Sequence, residues 1–292
     1  MTRRPQVLVL VPAHDEEQVI QRGVQALLAA DVSAVEVSVM VVANGCSDHT
    51  AQRARDLGDP RVEVVELSEG SKVGAVRHGM ANAGGADVVA VVDADVVLDE
   101  SVLPALAVAL AVGHPRIAAP ALRLDLTGCS RLVRRYYAAW SREPHVTRGD
   151  IGARGVYAVN AAGLERLRAM PDVVNDDGWA RAVFAPEDRV VTSGTSTVRP
   201  ARTWRAQVLR RARVLAGSRQ LHEVLPPQVR PGRGGVERLP GRSALGRLRE
   251  DGWLDTVAWY VVDLPARALE GWRHRRGGAT GWGRDETSRA TR

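Results

Sequence analysis

Short apolar runs alternate with amphipathic stretches over the first 100 residues. Residues 6–11, 35–42, 62–67 and 88–92 are runs of the length expected for strands buried on both faces of a sheet. Between them, apolar side chains recur at helical spacing, as in residues 19–28. This alternation predicts an α/β fold with a mostly parallel sheet flanked by helices, an architecture that often binds nucleotides.

Polar residues follow each of these predicted strands. Asp93 and Asp95 come directly after the run 88–92, at the carboxyl end of a strand, where open α/β sheets hold their ligands. Alternate strand residues point to opposite faces, so the two carboxylates can share a ligand only if the chain turns there. A hard divalent cation bound to a diphosphate would suit such a pair. For an isolated Asp-x-Asp, which is a short and common motif, a solvated loop is the more ordinary explanation.

Four motifs together change that balance. VPAHDEE (residues 11–17), ANGCSDHT (43–50), the Gly70/Lys72 segment and DAD (93–95) occur in the order and spacing of family-2 glycosyltransferases with the GT-A (Rossmann-like) fold, which this chain resembles. The resemblance implies a nucleotide-diphospho-sugar donor, usually a UDP-sugar, and an Mg²⁺ or Mn²⁺ ion held by Asp93 and Asp95. The family more often has Asn-Glu where this chain has Asp15-Glu16.

The resemblance also assigns donor contacts. It places the donor base, ribose and diphosphate against Pro12, Ala13, Asp15, Glu16, Asn44, Asp48, Lys72, Asp93 and Ala94, with Asp48 at the base. Lys72 is the sole lysine beside 39 arginines, which favours a specific role over a solvated helix start. In residues 203–217, Arg210 and Arg213 match the two polar positions of a family motif beside the diphosphate, although a solvated helix face fits them as well. Val214 replaces that motif's tryptophan, which argues against a processive synthase.

An acid pair in the second half is predicted to supply the catalytic base. Asp176-Asp177 occupies the place of the family's Glu-Asp motif, where one carboxylate takes the proton of an acceptor hydroxyl. Asp177 aligns best with that base, while Asp176 remains an alternative, and both could simply begin a helix. Gly152 and Gly155 would let a sugar approach the backbone, or would only bend a strand.

Charge and composition limit the partners. The net charge is +6, yet the residues from Arg202 onward contain 19 Arg against nine acids, so the excess lies in the last third. Phosphate ligands, an anionic membrane face or nucleic acid would suit that charge. Without a nucleic-acid reader motif, no nucleic-acid partner is expected. Aromatic and Arg residues in 251–276 favour packing on the catalytic domain, with peripheral membrane contact as the alternative.

The predicted organisation follows from these motifs. Residues 1–220 are expected to form the GT-A domain, with a nucleotide-sugar half (1–98) and an acceptor half (99–220), followed by a flexible loop (221–242) and a helical C-terminal extension and tail (243–292). Two cysteines and no evident signal peptide predict a cytoplasmic protein, which membrane contact would hold at the inner face. The predicted function is inverting, metal-dependent sugar transfer to an unknown acceptor hydroxyl. The alternatives are a retaining transferase and a nucleotide-binding partner protein without activity.

Overall fold

Eight strands form one sheet in the computed structural model, which describes residues 3–31, 33–147, 151–226 and 242–276. The strands are β1 (Gln6–Ala13), β2 (Glu36–Asn44), β3 (Val62–Leu67), β4 (Val88–Val92), β5 (Val97–Leu98), β6 (Ile117–Leu124), β7 (Val156–Asn160) and β8 (Arg189–Val198). Their order across the sheet is β3-β2-β1-β4-β7-β6-β8-β5. Strands β1 to β4 pair in parallel, so their carboxyl ends meet at one edge. The predicted mostly parallel α/β sheet is confirmed.

Eleven helices and one short 3₁₀ turn (Pro186–Asp188) are found among the described residues. The helices are α1 (Ile20–Leu28), α2 (Thr50–Arg55), α3 (Lys72–Ala81), α4 (Val102–Leu110), α5 (Arg131–Trp140), α6 (Pro144–Thr147), α7 (Ala161–Arg168), α8 (Asp176–Ala182), α9 (Trp204–Val224), α10 (Ala244–Asp251) and α11 (Trp253–Arg275). None of them is both long and apolar enough to cross a membrane.

Contacts divide the described chain into two compact units. The first contains everything up to Leu124 together with Ile151–Val198, and therefore the whole sheet. The second contains the remaining residues, with helices α5, α6, α9, α10 and α11. The predicted boundaries between the GT-A domain, the loop and the C-terminal extension, after residues 220 and 242, stay a prediction. Residues 227–241 of the predicted loop and 277–292 of the tail lie outside the described residues.

The core of the first unit explains the apolar runs. All five residues of β4 are buried, as expected for a strand covered on both faces. On one face of the sheet, alternate residues of β1 pack with α1 and α4 in a single cluster: Val7, Val9, Val11, Ile20, Val24, Leu103 and Leu106. Gly23 of α1 lies so close to the loop after β4 that a Cβ would stand 2.5 Å from the Ala94 carbonyl oxygen. The core therefore fixes the position of the Asp-Ala-Asp turn.

The second unit is built around aromatic and ionic contacts between helices. Tyr136 of α5 stacks on Trp259 of α11, with ring centroids 5.2 Å apart and planes 12° apart. Pro265 has no N–H to give to the carbonyl of Val261, one turn earlier in α11. The Trp204 indole donates to that carbonyl oxygen at 3.0 Å, so the helix continues through the proline with its free acceptor satisfied.

Two elements differ from what the local sequence predicts. Acids such as those at 15–17 are typical of a first helix turn, but α1 begins at Ile20 and leaves them in a loop. The short apolar runs 190–191 and 195–198 suggest two edge strands, but both belong to one strand, β8, which lies between β6 and β5 in the sheet. Helix α10 lies within the extension that is predicted to be helical from residue 243.

Candidate active site

Three loops converge at the carboxyl ends of β1, β2 and β3. Gly45 has φ +57, and a Cβ there would meet the Gly70 nitrogen at 2.5 Å, so only glycine fits this approach. A Cβ on Gly70 would lie 3.3 Å from the His14 ring. The His14 Nδ1 also lies 2.8 Å from the Asn44 carbonyl oxygen. The first three motifs are thus brought together at one edge of the sheet.

Asp15 joins the first motif to the second. Its backbone has φ +51, an uncommon conformation for a residue with a side chain. In that conformation its carboxylate accepts from the backbone N–H of Ser47 at 2.6 Å and from that of Asp48 at 3.2 Å. Asp48 in turn accepts from the Thr50 N–H at 2.9 Å and the Glu17 N–H at 3.2 Å. Both carboxylates therefore order the loop, and both are half-buried with a side facing solvent.

The other residues predicted at this end are less accessible. Pro12, Ala13, Glu16 and Asn44 are all buried. The Asn44 amide nitrogen donates to the Ala13 carbonyl at 2.8 Å and to the Val42 carbonyl at 3.2 Å. The Asn44 side chain therefore holds the ends of β1 and β2 together. A ligand at this end of the sheet would contact Asp15, Asp48 and the backbone of the loop that Asp15 binds.

Asp15 and Asp48 also belong to a group with Cys46 whose ligand atoms lie within 4.8 Å of one another. Among the described residues this is the one set of three or more His, Cys, Asp or Glu side chains with such spacing, and it does not include Asp93 or Asp95. The hydrogen bonds above account for its compactness. Burial raises the pKa of the Cys46 thiol, so the free thiol is protonated at neutral pH.

Lys72 links the Asp-Ala-Asp turn to the acid pair of α8. It is the first residue of α3, whose N-cap Ser71 accepts from the Gly74 N–H at 3.0 Å. The ammonium nitrogen lies 2.7 Å from Asp93 Oδ1 and 2.9 Å from Asp176 Oδ1. Burial works against the charge of Lys72, but the Asp176 and Asp93 carboxylates outweigh it and hold the Lys72 pKa above its usual value. This lysine stays charged at every physiological pH.

Asp176 and Asp177 have different surroundings although they are adjacent. The Asp176 side chain is 3% exposed and also accepts from the Tyr157 hydroxyl at 3.3 Å. Burial raises the Asp176 pKa, Lys72 lowers it, and the Asp177 and Asp93 charges raise it again, for a net increase. Burial and the three nearby carboxylates, with Asp176 first among them, raise the pKa of Tyr157, so its hydroxyl stays protonated and donates a hydrogen bond. Asp176 is therefore enclosed within the protein.

Asp177 is half-buried and faces the glycine-containing loop. Its Oδ2 accepts from the Ala153 N–H at 2.9 Å, and its Oδ1 accepts from the Gly178 N–H at 2.9 Å. Ala153 has φ +59, which turns its N–H toward the carboxylate. Each carboxylate oxygen has a second lone pair for a further partner. The carboxylate is thus oriented by two backbone N–H groups.

Gly155 fits the turn after β4. It has φ +64, and a Cβ there would stand 2.4 Å from Val96 Cγ2 and 3.4 Å from Asp93 Oδ2. The Asp93 N–H donates to the Gly155 carbonyl at 2.8 Å. The glycine was predicted to allow either a close sugar or a bent strand. In the structure Gly155 contacts the Asp-Ala-Asp turn itself. Within that turn Ala94 is buried, and Asp93 and Asp95 are half-buried.

Several groups at this site carry no signal in the sequence. Tyr157 lies in an alternating strand where a core tyrosine would look the same, and the Ala153 N–H acts through backbone conformation alone. Arg77, five residues after Lys72, is a further candidate donor contact by the family resemblance, but in the structure it donates to the Met170 carbonyl after α7. Trp179, beside the acid pair, could stack on a sugar or pack in the core, and its 5% exposure favours the core.

Arg210 and Arg213 lie on α9 in the second unit. Arg210 donates to the Tyr137 hydroxyl of α5, and Tyr137 donates to the Gln207 side chain at 3.1 Å. Both arginines are half-buried. Their predicted contact with a diphosphate stays a prediction from the resemblance.

Known proteins share this arrangement of sheet and helices. The family model described as glycosyl transferase family 2 matches residues 8–154. The mannosyltransferase PcManGT from Pyrobaculum calidifontis, in complex with GDP-Man and Mn²⁺, is 19% identical, with a TM-score of 0.57 over 94% of this chain and 81% of that chain. Glucosyl-3-phosphoglycerate synthase from Mycobacterium tuberculosis, with Mn²⁺, UDP and glucosyl-3-phosphoglycerate, is 18% identical, with a TM-score of 0.52 over 76% and 81%. No curated protein matches the sequence. The predicted GT-A fold is confirmed by these likenesses.

Proposed function

The chain belongs to glycosyl transferase family 2, and from its site we propose that it moves a sugar from a nucleotide-diphospho-sugar to an acceptor hydroxyl with inversion at the anomeric carbon. The observation that supports this most is the chain of contacts from Asp93 through Lys72 to Asp176, next to Asp177. It joins a donor motif and an acceptor motif within one group of ion pairs, although Asp93 and Asp176 are 83 residues apart in the sequence.

In the proposed reaction Asp177 is the base. Its carboxylate takes the proton of the acceptor hydroxyl as that oxygen attacks the anomeric carbon and the bond to the diphosphate breaks. The Ala153 and Gly178 N–H groups hold the carboxylate in place, and solvent reaches it. Asp176 is a poorer choice of base because it is enclosed by Lys72 and Tyr157. Its proposed role is to position Lys72.

Asp93 and Asp95 are the proposed ligands of a divalent cation. Carboxylate oxygens at the end of a buried strand suit Mg²⁺ or Mn²⁺, and Lys72 contacts Asp93 through Oδ1. Such an ion, when bound, would neutralise charge on the leaving diphosphate. Because Lys72 holds Asp93 and stays charged, we propose it as a positioning residue and not as the main phosphate contact.

Asp15, Asp48 and the turn between them are proposed to bind the nucleoside. Both acids are partly exposed after the ends of β1 and β2, and the Asn44 side chain ties those two strand ends together. The resemblance favours uridine, whereas the two structural neighbours hold GDP-Man and UDP. The acceptor is proposed only as a hydroxyl compound.

A thermal-shift panel of nucleoside diphosphates, each with and without Mn²⁺, tests the donor site. One nucleotide is expected to raise the melting temperature only with Mn²⁺, because a ligand at a hundred times its Kd stabilises by about 2.7 kcal/mol. Asp95→Ala should abolish that shift. Asp56→Ala, an exposed acid at the end of α2, is the matched control and should keep it. No shift with any nucleotide would reject the proposal.

A further inference from the structure

Helix α11 exposes an apolar stripe along one side. Six large apolar side chains of this helix are 38–65% exposed: Trp253, Leu254, Val257, Val261, Leu264 and Trp272. At about 100° per residue, all six fall within one arc of about 100° on the helix surface. With a rise of about 1.5 Å per residue, the two tryptophans stand about 28 Å apart along the axis. The opposite side, with Ala258, Trp259, Val262 and Ala266, is buried in the second unit.

The stripe carries no acidic group. The three acids of α11 lie on the other sides of the helix and are paired with arginines: Asp263 with Arg211 and Arg267, Glu270 with Arg219, and Asp255 with Arg135 and Arg142. Exposed cations border the stripe instead. By the same spacing Arg275 falls within the arc, Arg267 and Arg276 fall about 40° outside its two edges, and all three are exposed.

We propose that α11 docks this stripe onto the surface of an anionic phospholipid bilayer, lying in the plane of the interface. Tryptophan and leucine on one face with arginine at its border is the pattern of interfacial helices, which bury apolar side chains at the level of the head groups. Contiguous exposed apolar surface of this length is unusual on a free protein. The uniformly positive border matches anionic head groups, and guanidinium groups bind phosphate well.

A protein partner fits these observations less well. Protein interfaces set apolar anchors among polar groups of both signs. Here every acid of α11 is paired with an arginine of the second unit. The stripe and its border therefore present only apolar side chains and cations to a partner. This inference does not rest on the proposed sugar transfer, because none of its residues belongs to the donor or acceptor site.

Vesicle co-sedimentation of the full chain tests the proposal. The protein should bind vesicles of phosphatidylglycerol and phosphatidylcholine at least tenfold more tightly than vesicles of phosphatidylcholine alone, and less tightly as salt is raised. The double variant Val257→Ser/Leu264→Ser should lose at least tenfold in affinity. Both side chains are exposed, so the fold should survive, which circular dichroism and the nucleotide thermal shift check. Val108→Ser is the matched control, because Val108 is 78% exposed on α4 in the first unit.

A second pair of variants tests the charge. Arg275→Gln/Arg276→Gln should weaken binding to the anionic vesicles and flatten its salt dependence, while leaving binding to phosphatidylcholine as it was. Four results would overturn the proposal: no binding to either vesicle, equal binding to both, wild-type binding by the serine variant, or equal loss in Val108→Ser. A concentration-dependent dimer that the serine variant abolishes, without vesicle binding, would assign the stripe to a second copy of the chain.

Discussion

The Lys72 ammonium lies 2.9 Å from the Asp176 carboxylate, and the two residues start two helices that are far apart in the sequence. Asp176 is almost fully buried, and Lys72 is the cation that compensates its charge. Because the same ammonium binds Asp93, this ion pair connects the turn after β4 to the start of α8. The relative position of the two segments therefore depends on the Lys72 ammonium balancing the buried Asp176 carboxylate.

Removing the lysine should destabilise the protein strongly. Lys72→Met leaves the Asp176 carboxylate buried without its counter-ion, which we expect to cost about 3–5 kcal/mol in the free energy of unfolding. The double variant Lys72→Met/Asp176→Leu should recover much of that loss, because no uncompensated charge remains. Urea denaturation of the wild type and the two variants measures both changes in the free energy of unfolding.

An exposed ion pair provides the comparison. Arg3→Met breaks the pair with Asp87, whose side chains are 60% and 39% exposed, and should cost less than about 1 kcal/mol. If Lys72→Met cost no more than Arg3→Met, or if the double variant were no more stable than the single one, the compensating role of Lys72 would be wrong.

Gly155 should be intolerant of a side chain. Gly155→Ala forces a left-handed residue and a clash with Val96, so we expect about 1–2 kcal/mol from the conformation and a further 1–3 kcal/mol from overpacking. The change should also displace Asp93 and weaken Mn²⁺-dependent nucleotide binding. The thermal shift with and without Mn²⁺ measures the second effect.

Gly85→Ala is the matched control. Gly85 has φ +85, but no atom lies within 4 Å of its added Cβ, so only the conformational cost of about 1–2 kcal/mol should appear. Nucleotide binding should stay at the wild-type level. Equal losses of stability and binding in both variants would show that contact with the Asp-Ala-Asp turn is unimportant.

The strands that carry the site, and the polar residues after them, can be predicted from short stretches of sequence. Apolar runs of strand length located β1 to β4, and the polar residues after each run had to meet, because parallel strands end at one edge of a sheet. In the structure the Asp15 and Asp48 loops do meet there, and Lys72 lies beside Asp93. The family resemblance supplied the donor roles of these residues and the acid pair of α8, which periodicity alone describes as an ordinary helix start.

The remaining contacts depend on tertiary geometry. The positive φ of Asp15 and Ala153 cannot be inferred from residue type, since both residues favour other conformations. Which acid of the pair is buried is decided by Tyr157 and Lys72, which reach Asp176 from β7 and α3. The joining of residues 190–191 and 195–198 into the single strand β8 likewise results from packing and not from local sequence.

Acid should selectively weaken the second unit through Asp263. Hydrogen bonds from Arg267 and the charge of Arg211 hold the Asp263 pKa below its usual value, although burial works in the other direction. A carboxyl whose folded pKa is lowered stabilises the protein above the ordinary value of about 3.9 and loses that effect as the pH falls below it. Asp263→Asn should thus cost about 2–4 kcal/mol at pH 7.

The difference between wild type and Asp263→Asn should shrink as the pH falls from 4 toward the lowered pKa of Asp263. Urea titrations at a series of pH values give this difference directly. Asp56→Asn, on an exposed helix end, controls for general effects of charge and should match the wild type throughout. A difference that stayed constant down to the lowest pH would mean that the Asp263 charge contributes nothing.

The most direct test of the proposed chemistry is the rate of donor turnover by Asp177→Asn, with the nucleotide and metal found by the thermal-shift panel and water or a hydroxyl compound as acceptor. The variant is expected to keep Mn²⁺-dependent nucleotide binding and to lose about 10²- to 10⁴-fold in turnover, because only the base is removed. The anomeric configuration of the wild-type product, read by proton NMR, should be opposite to that of the donor. Turnover by Asp177→Asn at the wild-type rate, or a product of retained configuration, would contradict Asp177 as the base of an inverting transfer.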